Sequence, residues 1–260
     1  MLVRYTAADQ DYDGPSDESA TALNVLQREK FYNAACRFDD LVAELAARSL
    51  MDFGLRVGEL THLRSNWVQQ EPHPKTGDLT WRIQVPPSEV CVGGVGETGQ
   101  GNEQGCNMHL TNEPCWACRT RDFEGKSWVD EQTHEETPFH PKTKAAYQTS
   151  TWALPTNSCQ ETARLLKEFL SPNRQWPTLR GAVSDDLSKI RKNADMDRDV
   201  APHALRHTYG MRLAAAEKSL NDIMNQMRHD SLAMARYYSN EGGTDTRDAI
   251  QRDWKANEAF

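Results

Sequence analysis

The sequence predicts a mainly α-helical protein with a small antiparallel β-sheet, an α+β fold. Three observations carry that expectation. Apolar residues recur at helical spacing through most segments, only two stretches alternate with the period of a strand, and both strands end at proline. A length of 260 residues is enough for one large domain or two small ones.

Residues 1–17 are polar and Asp-rich and read as a loose arm. From Glu18 to Leu50, Leu23, Leu26, Phe31, Ala34, Ala35, Phe38, Leu41, Leu45 and Leu50 fall at helical spacing, giving two helices with a break near Cys36. A further helix begins around Arg56 and ends at His62 or Leu63. Trp81, Ile83 and Val85 then alternate with Arg82 and Gln84, a half-buried strand stopped by Pro86-Pro87. A second alternating stretch runs from Thr149 to Leu154 and closes at Pro155. Between them lies an insertion, about 88–140, rich in Gly, Asn, Glu and Cys; so long a connection calls for something to organise it. Helices follow at Ser158–Leu170 and Leu179–Asn193, and a third opens at Pro202, a favoured first position. Ser219 caps a helix to Met227, with Asp222 three residues on. Ser231 to Tyr238 is short, Glu241-Gly242-Gly243 is a flexible break, and Thr244 to Ala259 reads as a polar terminal helix. The domain expectation is an arm at 1–17, one main domain at 18–240 that carries the insertion at about 88–140, and a linker with helix at 241–260.

The net charge of −8 and pI near 5.5 argue at first against a nucleic-acid partner. Distribution matters more than the total. Residues 171–240 carry 11 Lys/Arg against 8 Asp/Glu, so a basic face on an acidic body is open. With 10 Lys against 20 Arg and surplus carboxylates, the composition resembles that of proteins from salt-loving archaea, suggesting a virus or plasmid of such a host. No apolar run reaches membrane-spanning length, and the N-terminus lacks a secretory pattern, which makes the cytoplasm the expected location.

Several short motifs could carry chemistry. In Pro202-His203-Ala204-Leu205-Arg206-His207-Thr208, His203 and Arg206 share one face of a helix's first turn, where free N–H groups already favour an anion. Met227-Arg228-His229-Asp230 forms a turn between helices, and Tyr237-Tyr238 follow one short helix later. A tyrosine, with a pKa near 10, needs surrounding cations and donors to act as a nucleophile. Gly54-Leu55-Arg56 precedes Glu59, which could orient the Arg56 guanidinium. Pro141-Lys142-Thr143-Lys144 lies just before the second strand, at a hairpin tip. Each motif taken alone reads more readily as a solvated face, a packing aromatic or a surface ion pair.

Their order and spacing together resemble the tyrosine recombinase (phage integrase) family, over about Phe31 to Tyr238. The resemblance implies that fold's catalytic domain and an enzyme that breaks and rejoins double-stranded DNA through a 3′-phosphotyrosine, without a catalytic metal. Residue by residue, Arg56 and Arg206 look like the arginines gripping non-bridging phosphate oxygens. His203 looks like the histidine that bonds the phosphate and handles the tyrosine proton, and His229 like the second histidine. Lys142 looks like the lysine that protonates the departing 5′-oxygen, and Tyr238 like the nucleophile. Tyr237 and Lys144 remain alternatives, although the nine-residue offset from His229 favours Tyr238 and the Lys-Thr pair favours Lys142. The resemblance also implies a homo-tetramer on two DNA sites, with the helix after Gly243 docking on a neighbour.

Two departures stand out. The family usually has Gly before the second histidine; here it is Arg228, so the turn is expected to be built differently. Only about 30 residues precede the matched region, too few for the helical DNA-clamping domain most members carry. Rival readings are a catalytically silent DNA-binding module and a type IB topoisomerase-like relaxing enzyme.

In the insertion, Cys115-Trp116-Ala117-Cys118 is a CxxC, and Cys91 and Cys106 precede it. Four thiolates could hold a structural zinc, with His109, His134 and His140 as spare ligands; reduced cysteines or a redox pair are the alternatives. Cys36 and Cys159 are expected to pack as apolar residues. Gly94-Val95-Gly96-Glu97-Thr98-Gly99 fits GxGxxG but lacks a strand before it and a helix after it, and is set aside.

Overall fold

Ten of the thirteen residues of helix α2 (Leu41–Phe53) are buried, which makes it the axle of the molecule. The computed structural model describes residues 21–91, 114–119, 129–170, 175–216 and 218–241. α1 (Val25–Cys36) lies against α2 through Phe31 and Ala35. Asn24 and Gln27 close a capping box at the start of α1, and the Asp40 carboxylate caps the Val42 and Ala43 N–H groups of α2. α2 ends at Gly54 in a left-handed conformation (φ 54°). A Cβ there would stand 2.3 Å from the Tyr209 ring, so only glycine lets the chain turn against that helix.

The short helix α3 (Val57–Leu60) follows, then strands β1 (Val68–Pro72) and β2 (Leu79–Ile83). Two short helices of the insertion, α4 (Trp116–Arg119) and α5 (Glu131–Glu136), precede α6 (Ala145–Gln148) and β3 (Thr151–Trp152). The sheet is antiparallel in the order β1-β2-β3. β1 was not anticipated: Gln69, Gln70 and Glu71 hide its period, and only Val68 is buried on this edge strand. Lys142 is not at a tight hairpin tip. That tip, residues 73–78, joins β1 to β2, whereas Lys142 sits in the long β2–β3 connection just ahead of α6.

The remaining helices are α7 (Asn157–Phe169), α8 (Arg180–Asn193), α9 (Pro202–Ala215), α10 (Leu220–Met227) and α11 (Leu232–Glu241). α7, α8 and α9 pack around α2, and α10 and α11 close on α9. Leu45, Leu50, Met51, Phe53, Leu166, Leu187, Leu205 and Leu213 form the core between them; each such side chain contributes about 1.5–3 kcal/mol by leaving water. Thr156 and Ser219 cap α7 and α10, and Pro202 occupies the first turn of α9. Within this core Asp52, fully buried, accepts hydrogen bonds from Arg212, Tyr32 and Thr162. No helix among the described residues is long and apolar enough to cross a membrane. The expected arm, the terminal helix and the GxGxxG segment lie outside the described residues.

Candidate active site

The site forms where the C-terminal end of α2, the start of α3, the first turns of α9 and the α10–α11 turn meet. Arg56 stands at the N-cap of α3 and Glu59 one turn on. The Glu59 carboxylate accepts from the Arg56 backbone N–H (2.8 Å) and from Arg56 Nη1 (2.9 Å). Arg56 Nη2 donates to the Arg228 carbonyl at 2.9 Å. Arg206, on α9, is 3% exposed and donates to two backbone carbonyls, of Gly54 and Met227.

Arg228 occupies the turn in a left-handed conformation (φ 54°, ψ 47°). The expectation of a differently built turn is therefore corrected. The turn keeps the backbone for which glycine is the ordinary choice, and a non-glycine residue there costs about 1–2 kcal/mol. Its guanidinium, fully buried, donates to Glu59 Oε2 at 2.6 Å and to the Gly54 carbonyl at 3.1 Å. That ion pair offsets the strain, and it adds a cation that sequence reasoning did not assign. Arg228 and His229 N–H groups bond back to Asn225 and Met224, so the turn also caps α10.

Three guanidiniums thus stand around Glu59, which pairs directly with Arg56 and Arg228. Burial alone would raise the Glu59 carboxyl, but Arg228, Arg56 and Arg206 outweigh it and hold Glu59 ionised far below the usual carboxylate range. Arg206, which makes no ion pair among the described residues, is not balanced in return. Burial, together with Arg56 and Arg228, pushes Arg206 well below its ordinary value.

The histidines feel the same field. Burial, then Arg206, Arg56 and Arg228, depress His229, whose buried Nδ1 has no hydrogen-bond partner among the described residues. His203 lies exposed on the first turn of α9 and is lowered by desolvation and by Arg206, Lys142, Arg56 and Arg180. Lys142 is therefore close enough to act on His203. Thr143 fixes it there by donating to the Arg228 carbonyl (3.2 Å), while the Ala145 N–H bonds Asp230 (3.1 Å). Lys144 is exposed, and no such link to the cluster is found for it among the described residues.

Tyr238 is 1% exposed, whereas Tyr237 is only partly buried. The Tyr238 hydroxyl lies 3.0 Å from His207 Nδ1, and its ring stacks beside His229 with centroids 6.1 Å apart. A Cβ on Gly210 would meet the Tyr238 ring at 2.6 Å, so this glycine lets the ring lie against α9. His207 is pushed down to about 4, by burial and by His203 and Arg206, and is neutral at pH 7. It was not singled out from sequence, though the His directly after Arg206 was in view; only the fold shows that it faces the tyrosine. The structure thus brings together Arg56, Lys142, His203, Arg206, His229 and Tyr238, and adds Arg228 and His207.

Cysteines of the insertion form a second cluster with His62, which precedes it. His62, Cys91, Cys115 and Cys118 place their ligand atoms within 4.8 Å of one another. Cys106 and His109 lie outside the described residues, and His134 and His140 stack on each other instead, with His140 Nδ1 bonded to the Pro87 carbonyl. His62 was missed because it lies 29 residues before Cys91, where the sequence suggests only the end of a short helix.

Residues 133–242 match the family model of the phage integrase family. No curated protein matches the chain. Among solved structures, the chain is similar to XerH site-specific recombinase bound to a palindromic difH substrate after cleavage, with 14% identity and a TM-score of 0.51. The match covers 89% of this chain and 53% of that one, so the chain spans about half its length. A lambda integrase dimer bound to a COC′ core site is similar at 17% identity and a TM-score of 0.45, covering 88% of this chain and 62% of the other. The Tn1549 transposon integrase with circular intermediate DNA follows at 16% identity and a TM-score of 0.47, covering 92% and 68%.

Proposed function

We propose that the chain is a tyrosine recombinase that breaks and rejoins double-stranded DNA by transesterification, a reading supported by the match of residues 133–242 to the phage integrase family model. The observation that carries the reading is the uncompensated charge: three guanidiniums around one carboxylate, beside a buried histidine nitrogen without a partner among the described residues. A phosphate diester supplies what is missing, namely negative charge and acceptor oxygens.

In this reading Arg56 and Arg206 turn free donors to the non-bridging oxygens, with His203 and His229 completing the cradle. The Tyr238 oxygen attacks phosphorus, and the phosphorus–5′-oxygen bond breaks. The phenol proton passes toward His207 Nδ1, its partner at 3.0 Å, or His203, and Lys142 gives a proton to the leaving 5′-oxygen. Entry of the phosphate cancels part of the cationic field that depresses His207, so its basicity rises when the proton must leave. The 3′-phosphotyrosine keeps the bond energy for religation, so these side chains suffice without a catalytic metal. The reading extends to a homo-tetramer on paired sites, assembled through the segment beyond residue 241, and to action in the cytoplasm.

Trapping on nicked duplexes tests this. A pool of nicked DNA, from which the short fragment diffuses away after cleavage, is expected to leave covalent adducts with the wild type and with Tyr237→Phe, and none with Tyr238→Phe. Intact DNA binding without adducts in any form would instead favour the silent binding module. Sequence-independent relaxation of a supercoiled plasmid would favour the topoisomerase.

A further inference from the structure

We propose that His62, Cys91, Cys115 and Cys118 form a structural zinc site that staples the insertion to the segment carrying Arg56 and Glu59. His62 Nε2 lies 3.4, 3.6 and 3.2 Å from the Sγ atoms of Cys91, Cys115 and Cys118. Zinc–sulfur and zinc–nitrogen bonds of about 2.3 and 2.0–2.1 Å in a tetrahedron put a nitrogen about 3.6 Å from each sulfur. The observed spacings match that edge length. Three thiolates and an imidazole also suit zinc by softness and geometry.

The surroundings of the ligands point the same way. His62 Nδ1 is 2.7 Å from the Gly58 carbonyl, which can only accept, so Nδ1 carries the proton and Nε2 presents its lone pair to the sulfurs. The imidazole stacks on Phe139 at 4.3 Å, which fixes its plane. The Cys115 N–H points at Cys91 Sγ (3.3 Å), and the Cys118 and Arg119 N–H groups fold back on the Cys115 carbonyl. The CxxC is thereby wound into a tight knuckle with both sulfurs turned inward. His62, Cys91 and Cys118 are buried and Cys115 partly so, as befits a closed structural site rather than an open catalytic one.

The staple has a direct path to the arginines. Gly58, whose carbonyl accepts from His62, precedes Glu59, the carboxylate that holds Arg56 and Arg228. A metal at His62 therefore fixes the turn on which that carboxylate sits, while drawing in the insertion from both Cys91 and the CxxC. The site itself stands apart from the strand-transfer reading; only its link to the arginines rests on it.

Zinc content of the purified, reduced full chain tests the proposal without DNA. One zinc per chain is expected, retained in Cys36→Ala and in Cys106→Ser, and its affinity reduced about tenfold or more in His62→Gln. Because His62→Gln could misfold, cobalt exchanged into the wild type gives a second reading, the absorption of a tetrahedral ion bound by three thiolates and one nitrogen. Chelation is expected to lower hydrogen-exchange protection at residues 57–62. Absence of zinc and no tetrahedral cobalt spectrum would overturn the site. Loss of metal in Cys106→Ser, with His62→Gln unaffected, would overturn the ligand set, and unchanged protection at 57–62 would overturn the link to the arginines.

Discussion

Two arginines on one helix, Arg206 and Arg212 of α9, are both sunk into the protein and meet opposite fates. Arg212 donates to Asp52 at 2.8 Å and to the Met51 carbonyl at 2.9 Å, and Asp52 is satisfied in turn by Tyr32 and Thr162. Burial works against its charge, but Cys159 and Asp52 outweigh that and raise it. Arg206 donates to two neutral carbonyls and makes no ion pair among the described residues; burial, then Arg56 and Arg228, outweigh the nearby Glu59 and push it down. A buried charge kept for stability is matched by its own counter-charge. One left in surplus costs stability, and in the proposed reading the balancing charge is the phosphate of the DNA.

The difference can be broken from either side, and the largest effect is expected at the matched pair. Asp52→Asn leaves Arg212 buried without its anion and is expected to cost about 3–5 kcal/mol in denaturant unfolding. Arg206→Met is expected to cost no more than about 1–2 kcal/mol of stability from its lost carbonyl bonds. Its covalent trapping on nicked DNA should fall about 10²–10³-fold. If Arg206→Met were as destabilising as Asp52→Asn, the surplus would be structural after all.

Anions should separate the two regions further. DNA or inorganic sulfate at about a hundred times its dissociation constant is expected to stabilise the wild type by about 2.7 kcal/mol, read from unfolding midpoints. The same addition should do less for Arg206→Met. Acid gives a smaller effect. His207 sits at about 4 when folded against an ordinary 6.5, so the unfolded chain binds more protons between those values. Stability is therefore expected to fall as pH drops from about 6.5 toward 4, by on the order of 2 kcal/mol, and His207→Gln should flatten that slope in pH-dependent unfolding. Smallest is Gly210→Ala. Alanine favours a helix by up to about 1 kcal/mol, yet its Cβ displaces the Tyr238 ring, so trapping is expected to drop about tenfold while the fold holds.

Much of this was legible before any coordinates. Apolar periodicity located α1, α2 and the helices from α7 onward, because amphipathic helices write their burial into spacing. The ordered set Arg56, Lys142, His203, Arg206, His229 and Tyr238 was picked out for a different reason: the family resemblance rests on residue type at each point, not on periodicity. β1 escaped because an edge strand with one buried residue has no pattern to show. His62 escaped because a metal ligand distant in sequence is recognised only when the fold carries it to the cysteines. The role of Arg228 escaped too, since a residue's pairing with a carboxylate 169 positions earlier is a property of packing, not of the turn it sits in.

The most direct measurement is a crystal structure of the Tyr238→Phe chain bound to a DNA site. A backbone phosphate is expected among Arg56, Arg206 and His229, with donor–acceptor distances of about 2.7–3.2 Å and the substituted ring at position 238 facing the phosphorus. Duplex lying across another surface, with Arg206 still engaged only by the Gly54 and Met227 carbonyls, would contradict it.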